Sequence, residues 1–282
     1  MFLLIREEDK AQIMFSYKLV IEYEGTRYYG WQEQKNARTI AGEIRKAAEE
    51  FFEKPVEILG AGRTDAGVHA LGQVARLKTI QRVKPLELQR ALNDRLPADI
   101  SVLRTADAHP DFDPRRDAVR RYYIYQISFR RTAFAKRYVW WVKDRLNVDL
   151  MNEACSLVNG RHDFARFCDK RAEERSTVVV VERAELASDG DLLLFRIGAS
   201  HFLWKMVRRI VGSLVEVGRR NLSAKEFRSL LDPRAAAASS KQFQSAAHTA
   251  PPSGLFLERV LYNGSQSMPA LSAVFPVSTN KF

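Results

Sequence analysis

Val56-Glu57-Ile58-Leu59-Gly60-Ala61-Gly62-Arg63-Thr64-Asp65-Ala66-Gly67-Val68-His69-Ala70 sets three glycines, a cation, a carboxylate and an imidazole between two apolar runs. Residues 56–59 read as a short strand, and Gln73-Val74-Ala75-Arg76-Leu77-Lys78 alternates as another. The glycines at 60, 62 and 67 therefore predict a tight turn between two rigid elements, because no Cβ keeps a second backbone or a ligand away. Asp65 sits at its middle. A phosphate-cradling loop would run into a helix carrying Lys and Ser or Thr, whereas this one runs into a strand, and its carboxylate would repel the anion. A lone aspartate on a rigid turn can act as nucleophile or general acid/base, with Arg63 or another cation keeping it ionised. Asp and Gly are also the commonest residues of ordinary solvated turns.

Working outward, residues 17–23 alternate as a strand, and Thr39 can cap a helix to about residue 53 with Ile40, Ile44, Ala47, Ala48, Phe51 and Phe52 as its apolar stripe. Pro85 opens a second helix carrying Leu86, Leu88, Leu92 and Leu96, closed by Pro97-Ala98-Asp99, and residues 100–104 form a strand. The polar stretch 107–116 is a boundary between halves. Beyond it, residues 122–129 predict a central strand, and Asp149 caps a helix ending at Asn159-Gly160. Residues 177–187 and 192–199 form a hairpin through Ser188-Asp189-Gly190-Asp191. Leu203, Met206, Val207, Ile210, Leu214 and Val217 place the main helix of this half at 203–217, and Ser223-Ala224-Lys225-Glu226 opens another with a capping box. Residues 235–253 read as a loop and 254–262 as the last strand.

Several strands follow one another without a crossover helix, which favours an α+β fold: a largely antiparallel sheet with helices on one face. The expected division is an N-terminal extension at 1–16, an α+β unit at 17–110 with the Asp65 loop, a second at 111–264, and a loose tail at 265–282. The active-site cleft is expected between the two units, which share the sheet.

The partner is narrowed by charge. The 282 residues carry 45 Lys and Arg against 34 Asp and Glu, a net charge of +11, which suggests a polyanion. Cations are interleaved with rings, as in Arg27-Tyr28-Tyr29-Gly30-Trp31 and Arg120-Arg121-Tyr122-Tyr123-Ile124-Tyr125, the pairing that an RNA cleft needs for phosphates and unstacked bases. Tyrosines beside arginines are equally ordinary on a strand with one wet face. Two cysteines, Cys155 and Cys168, make neither a disulfide framework nor a zinc site. No signal peptide and no apolar run of membrane-spanning length is evident, so a cytoplasmic protein is expected.

Six stretches, in order, carry a family resemblance. Gly62-Arg63-Thr64-Asp65-Ala66-Gly67-Val68-His69-Ala70 resembles the signature of the tRNA pseudouridine synthase A (TruA) family. Tyr23-Glu24-Gly25-Thr26-Arg27-Tyr28-Tyr29-Gly30-Trp31-Gln32 resembles its N-terminal strand and loop, and Arg121-Tyr122-Tyr123-Ile124-Tyr125 its basic-x-Tyr-x-Tyr strand. The stretches 160–167, with His162-Asp163-Phe164, 202–212, with Arg208, and 250–255, Ala-Pro-Pro-Ser-Gly-Leu, resemble three further segments.

The resemblance implies isomerisation of uridine to pseudouridine in tRNA, in the anticodon stem-loop, by a homodimer without organic cofactor, metal or nucleotide. It implies Asp65 as the catalytic aspartate, Tyr123 against the target uracil, Arg208 paired with Asp65, and Arg63 holding or flipping the nucleotide. The doubled tyrosine allows a one-residue slip; Tyr123 is preferred because Arg121-x-Tyr123-x-Tyr125 keeps the period and alternation sends Tyr122 to the opposite face. His69 and His162 are expected to be structural. Taken singly, Tyr123 could be a core tyrosine, Arg208 a solvated helix residue and Arg63 a plain phosphate contact. The competing function is a non-catalytic basic RNA-binding protein or RNA chaperone.

Overall fold

Tyr17, Leu19, Ile21 and Tyr23 alternate with Lys18, Val20 and Glu22 and are all buried, so one face of β1 (Phe15–Tyr23) belongs to the core. In the computed structural model, which describes residues 14–169, 176–232, 243–263 and 268–277, this strand leads into a first half of alternating helices and strands. Thr39 accepts a hydrogen bond from the Gly42 N–H and starts α1 (Ile40–Phe52), which buries Ile40, Ile44, Ala48 and Phe52. β2 (Glu57–Gly60) and β3 (His69–Thr79) flank the Asp65 turn, followed by α2 (Pro85–Asn93) and β4 (Ile100–Asp107).

The second half runs β5 (Ala118–Ser128), β6 (Trp140–Trp141), α3 (Val148–Ser156), β7 (Gly160–Asp163), β8 (Val178–Asp189), β9 (Leu192–Ala199), α4 (Met206–Gly218), α5 (Ala224–Leu230) and β10 (Leu255–Tyr262). Among the described residues the strands form one sheet in the order β4-β1-β3-β10-β5-β9-β8-β7, with β2 also on β3 and β6 on β5. Neighbours are antiparallel except β10 with β3 and β6 with β5. The expected α+β fold, a mostly antiparallel sheet with helices packed on it, is therefore what the chain adopts.

Two features of this sheet build the site. The edge of β3 away from β1 is shared: His69 and Ala70 pair with β10, whereas Ala75 to Lys78 pair with β2. The fork left between them holds the Asp65 turn. Register also aligns Tyr23 with Ala70, Ala70 with Leu257, Leu257 with Tyr123 and Tyr123 with Ile197, which puts all five on one face. They share a hydrophobic core with Ile44 of α1 and Ile210 of α4.

Several boundaries differ from the sequence reading. α2 stops at Asn93, three residues short of Leu96, and Leu86 is 58% exposed rather than part of the stripe. The cap of α3 is Asn147, whose side chain accepts from the Leu150 N–H, and Asp149 lies in the first turn, where its charge suits the helix dipole. α4 starts at Met206, not Leu203, because Lys205 sits at φ +64 and a right-handed helix cannot run back through it. β6 and β7 were not anticipated: two tryptophans and Gly-Arg-His-Asp carry no alternation.

The largest difference is the tail. Residues 268–277 are fastened to the face of β5 and β9 away from the helices. Val274 and Phe275 N–H groups donate to Gln126 Oε1, Arg196 donates to Pro269 O at 2.8 Å, and Val277 is buried with Leu192, Leu194, Ala135 and Val139. Residues 1–13, 170–175, 233–242, which include 235–242 of the expected loop, and 264–267 and 278–282, which include 265–267 and 278–282 of the expected tail, lie outside the described residues. Among the described residues no helix is long and apolar enough to cross a membrane.

The Phe275 ring stacks on Tyr138 at 3.9 Å and 7°. Phe275→Ala should remove about 1 kcal/mol of pairing, a fall of ~2–4 °C in melting temperature; an unchanged melt would show that the segment contributes nothing to stability.

Candidate active site

The Asp65 turn is rigid because other elements supply its hydrogen bonds. Ala61 N–H donates to Val74 O at 2.8 Å, Gln73 Nε2 donates to Gly62 O at 2.9 Å, and Thr64 Oγ1 meets the Tyr23 hydroxyl at 2.8 Å. Trp31 N–H donates to Thr64 O, and Gly67 N–H to Tyr28 O. The glycines do not all serve one purpose. Gly60 lies so close to Trp31 that a Cβ would stand 2.5 Å from the indole. Gly67 adopts φ +76, with Pro252 pressed against it. Gly62 takes neither role: its φ is not positive, and a Cβ there would meet nothing within 4 Å.

The turn presents Asp65 to a cleft of about 630 Å³, whose lining includes Arg63, Asp65, Tyr123, Phe202 and Arg208. The four residues singled out from sequence thus come together. Arg208 Nη1 lies 3.3 Å from Asp65 Oδ2, with side chains 15% and 19% exposed, so the pair is shielded without being sealed. The guanidinium is aimed from behind: Arg208 Nε donates to Ala250 O at 2.7 Å, and Ala250 N–H donates to Arg208 O at 3.1 Å. Gly212, one turn further along α4, permits this approach, since a Cβ there would collide with His248 O. Removing either charge would strand the other in a partly desolvated wall.

Tyr123 forms the floor. It is buried, its ring meets Phe202 edge-on at 5.0 Å and 84°, and its hydroxyl has no hydrogen-bond partner among the described residues. Burial pushes the phenol above its ordinary pKa, and the charges of Tyr23 and Asp65 push the same way while Arg121 opposes them. It is a neutral ring at neutral pH. Tyr122 points to the other face and donates to Glu182 Oε2 at 3.1 Å. Arg63 is exposed at the rim.

The histidines brace rather than react. His69 Nδ1 accepts from the Gly25 N–H at 3.0 Å, which leaves the proton on Nε2 for Arg137 O at 2.9 Å. Burial lowers its pKa, and it stays neutral between Tyr138 and Phe256. His162 bonds Asn159 O. Cys155 and Cys168 are both buried, and no group of three or more His, Cys, Asp or Glu suited to a metal occurs among the described residues.

A mostly antiparallel sheet that forks around a carboxylate paired with arginine is the setting in which sequence comparison becomes decisive. The profile of the tRNA pseudouridine synthase family matches residues 19–115 and 154–263. The tRNA pseudouridine synthase A of Thermosipho melanesiensis is 38% identical over 252 residues, 88% of this chain and 100% of that protein. That of Rhodopseudomonas palustris is 40% identical over 249 residues, 87% and 98% of the two chains. The chain belongs to the tRNA pseudouridine synthase family. Arg63, Asp65 and Arg208 fall inside the matched stretches, and Tyr123 falls between them.

Sequence reading did not single out the Ala250 carbonyl or the guanidinium of Arg121, which bonds the Asp65 loop at Ala61. Both belonged to quoted motifs, but a carbonyl has no signature, and Arg121 was read there as a cation for RNA phosphates and as the marker of the tyrosine register, whereas its donors go to backbone carbonyls. The glycines give a direct check on the turn. Gly67→Ala should destabilise by about 1–3 kcal/mol, or ~2–4 °C per kcal/mol in a thermal melt, while Gly62→Ala should melt close to wild type; equal effects would contradict the geometry of the turn.

Proposed function

We propose that the cleft receives a uridine everted from tRNA and converts it to pseudouridine, with Asp65 as the nucleophile. The observation that carries this reading is the carboxylate at 3.3 Å from Arg208 on a braced turn, in the same cleft as the Tyr123 ring. The C1′–N1 bond breaks, the detached uracil turns, a C1′–C5 bond forms, the proton on C5 is lost to solvent, and N1 takes up a proton in its place. Substrate and product are isomers, so the protein has to supply a nucleophile, at C1′ or at the base, and a surface that keeps the free uracil. Asp65 supplies the first, with the Arg208 guanidinium set against it. Tyr123, with Phe202 against its edge, supplies the second, since any base presents a π-face to an aromatic ring.

In this reading Arg63, exposed in the cleft lining, contacts the nucleotide as it leaves the stack. Eversion is least costly from a loop, which agrees with a target in the anticodon stem-loop. The net charge of +11 suits the phosphate backbone. The reading needs no organic cofactor, metal or nucleotide. It includes a cytoplasmic homodimer, testable as a solution mass of twice 32.3 kDa, built from units at 17–110 and 111–264.

Incubation with unmodified tRNA carrying tritium at uridine C5 tests the chemistry. Wild type should release tritium with nothing added, and Asp65→Asn should release none while still binding tRNA; release by Asp65→Asn would remove the nucleophile. Tyr123→Ala should lower kcat/KM by the ~1–3 kcal/mol of one base stack, roughly 10- to 100-fold. Tyr122→Phe, on the other face of β5, should turn over near the wild-type rate.

A further inference from the structure

Arg121 is 8% exposed and makes no ion pair among the described residues. Its five N–H groups go instead to four backbone carbonyls. Nε and Nη2 reach Ala61 O at 3.3 and 3.0 Å, Nη2 reaches Arg115 O at 2.6 Å, and Nη1 reaches Ser200 O at 2.6 Å and Ala118 O at 3.3 Å. These acceptors lie on separate segments. Ala61 opens the Asp65 turn, Arg115 lies in the turn before β5, Ala118 begins β5, and Ser200 leaves β9 just before Phe202.

A buried guanidinium without a carboxylate is costly. An apolar residue would avoid that cost, but it would take this donor away from four carbonyls in a partly dry wall. What the fork achieves is a joint. Tyr23, Trp31, Gln73 and Val74, all from the first half, brace the turn on one side. Arg121 ties its other side to the second half, two residues along β5 from Tyr123 and on the same face.

We propose that Arg121 is a positioning residue for Asp65: by clamping Ala61 to Arg115, Ala118 and Ser200 it sets the distance of the carboxylate from Tyr123 and Arg208 across the cleft. This rests on the reaction proposed above. Arg121 is part of the cleft lining, but its donors go to the backbone of the turn and of the segments around it. Lysine is a poor substitute, because its three donors radiate from one point and cannot span carbonyls on opposite sides of a planar fork.

The test is Arg121→Lys, with Arg121→Ala as the second variant. In Arg121→Lys, kcat at saturating tRNA should fall roughly 10- to 100-fold, the scale of a misplacement near 1 Å, while the Kd for tRNA stays close to wild type. Amide hydrogen exchange across residues 60–68 should quicken in the same variant. Dilute guanidinium should restore part of the rate to Arg121→Ala, and methylammonium should not. An unchanged kcat, a loss that lies wholly in Kd, or unchanged exchange in the turn would each overturn the proposal. So would failure of both variants to fold, which would make the fork a folding element only. Should wild type itself form no pseudouridine, the parent reading fails, and the exchange experiment still decides whether Arg121 holds the turn.

Discussion

One edge of β3 has two partners. β10 pairs with it in parallel at His69 and Ala70, and β2 pairs with it antiparallel from Ala75 to Lys78, so the sheet forks where neither strand has taken the hydrogen bonds. Backbone groups at such a fork must find other partners. Here Val74 O takes the Ala61 N–H, and the Gln73 side chain reaches Gly62 O, which draws the Asp65 turn into the gap and holds it there. The carboxylate therefore stands at the junction of two halves, each supplying part of the cleft wall. A continuous ladder along β3 would leave no room for it.

Around that junction the charges follow a consistent logic. Arg208 comes from the first turn of α4 and is aimed by the Ala250 carbonyl, so its meeting with Asp65 depends on the approach of residues 248–250 to Gly212. Arg121 spends its donors on backbone, and His69 is buried and neutral between Gly25 and Arg137. Two positively charged or chargeable groups thus act on main chain, while Arg208 is set directly against the carboxylate. The division of labour suits a site in which a single carboxylate has to be held at one place.

Much of this was legible in the amino-acid order. The strand–turn–strand around Asp65, the Thr39 cap, the Ser223 capping box and the 192–199 hairpin strand all rest on relations of two to four residues, and the structure reproduces them. The start of α4 was misread because helical spacing extends smoothly back to Leu203, whereas Lys205 turns left-handed and bonds Asp169 at 2.7 Å, a partner 36 residues away. The tail was misread for a related reason. Its composition is that of a loose segment, and what fastens it is Gln126, 148 residues earlier.

The sequence by itself determined most of the local elements, a basic balance that suits a polyanion and, through six ordered motifs, the family. Those signals are local or cumulative, and they survive without knowing which segments touch. Only the tertiary structure decided that Tyr123 rather than Tyr122 faces Asp65, and that Arg208 is held by Ala250. It alone showed that Arg121 joins carbonyls 60 and 79 residues away. The physical reason is that a carbonyl oxygen is identical in every residue, so a contact to main chain writes its identity on one partner only.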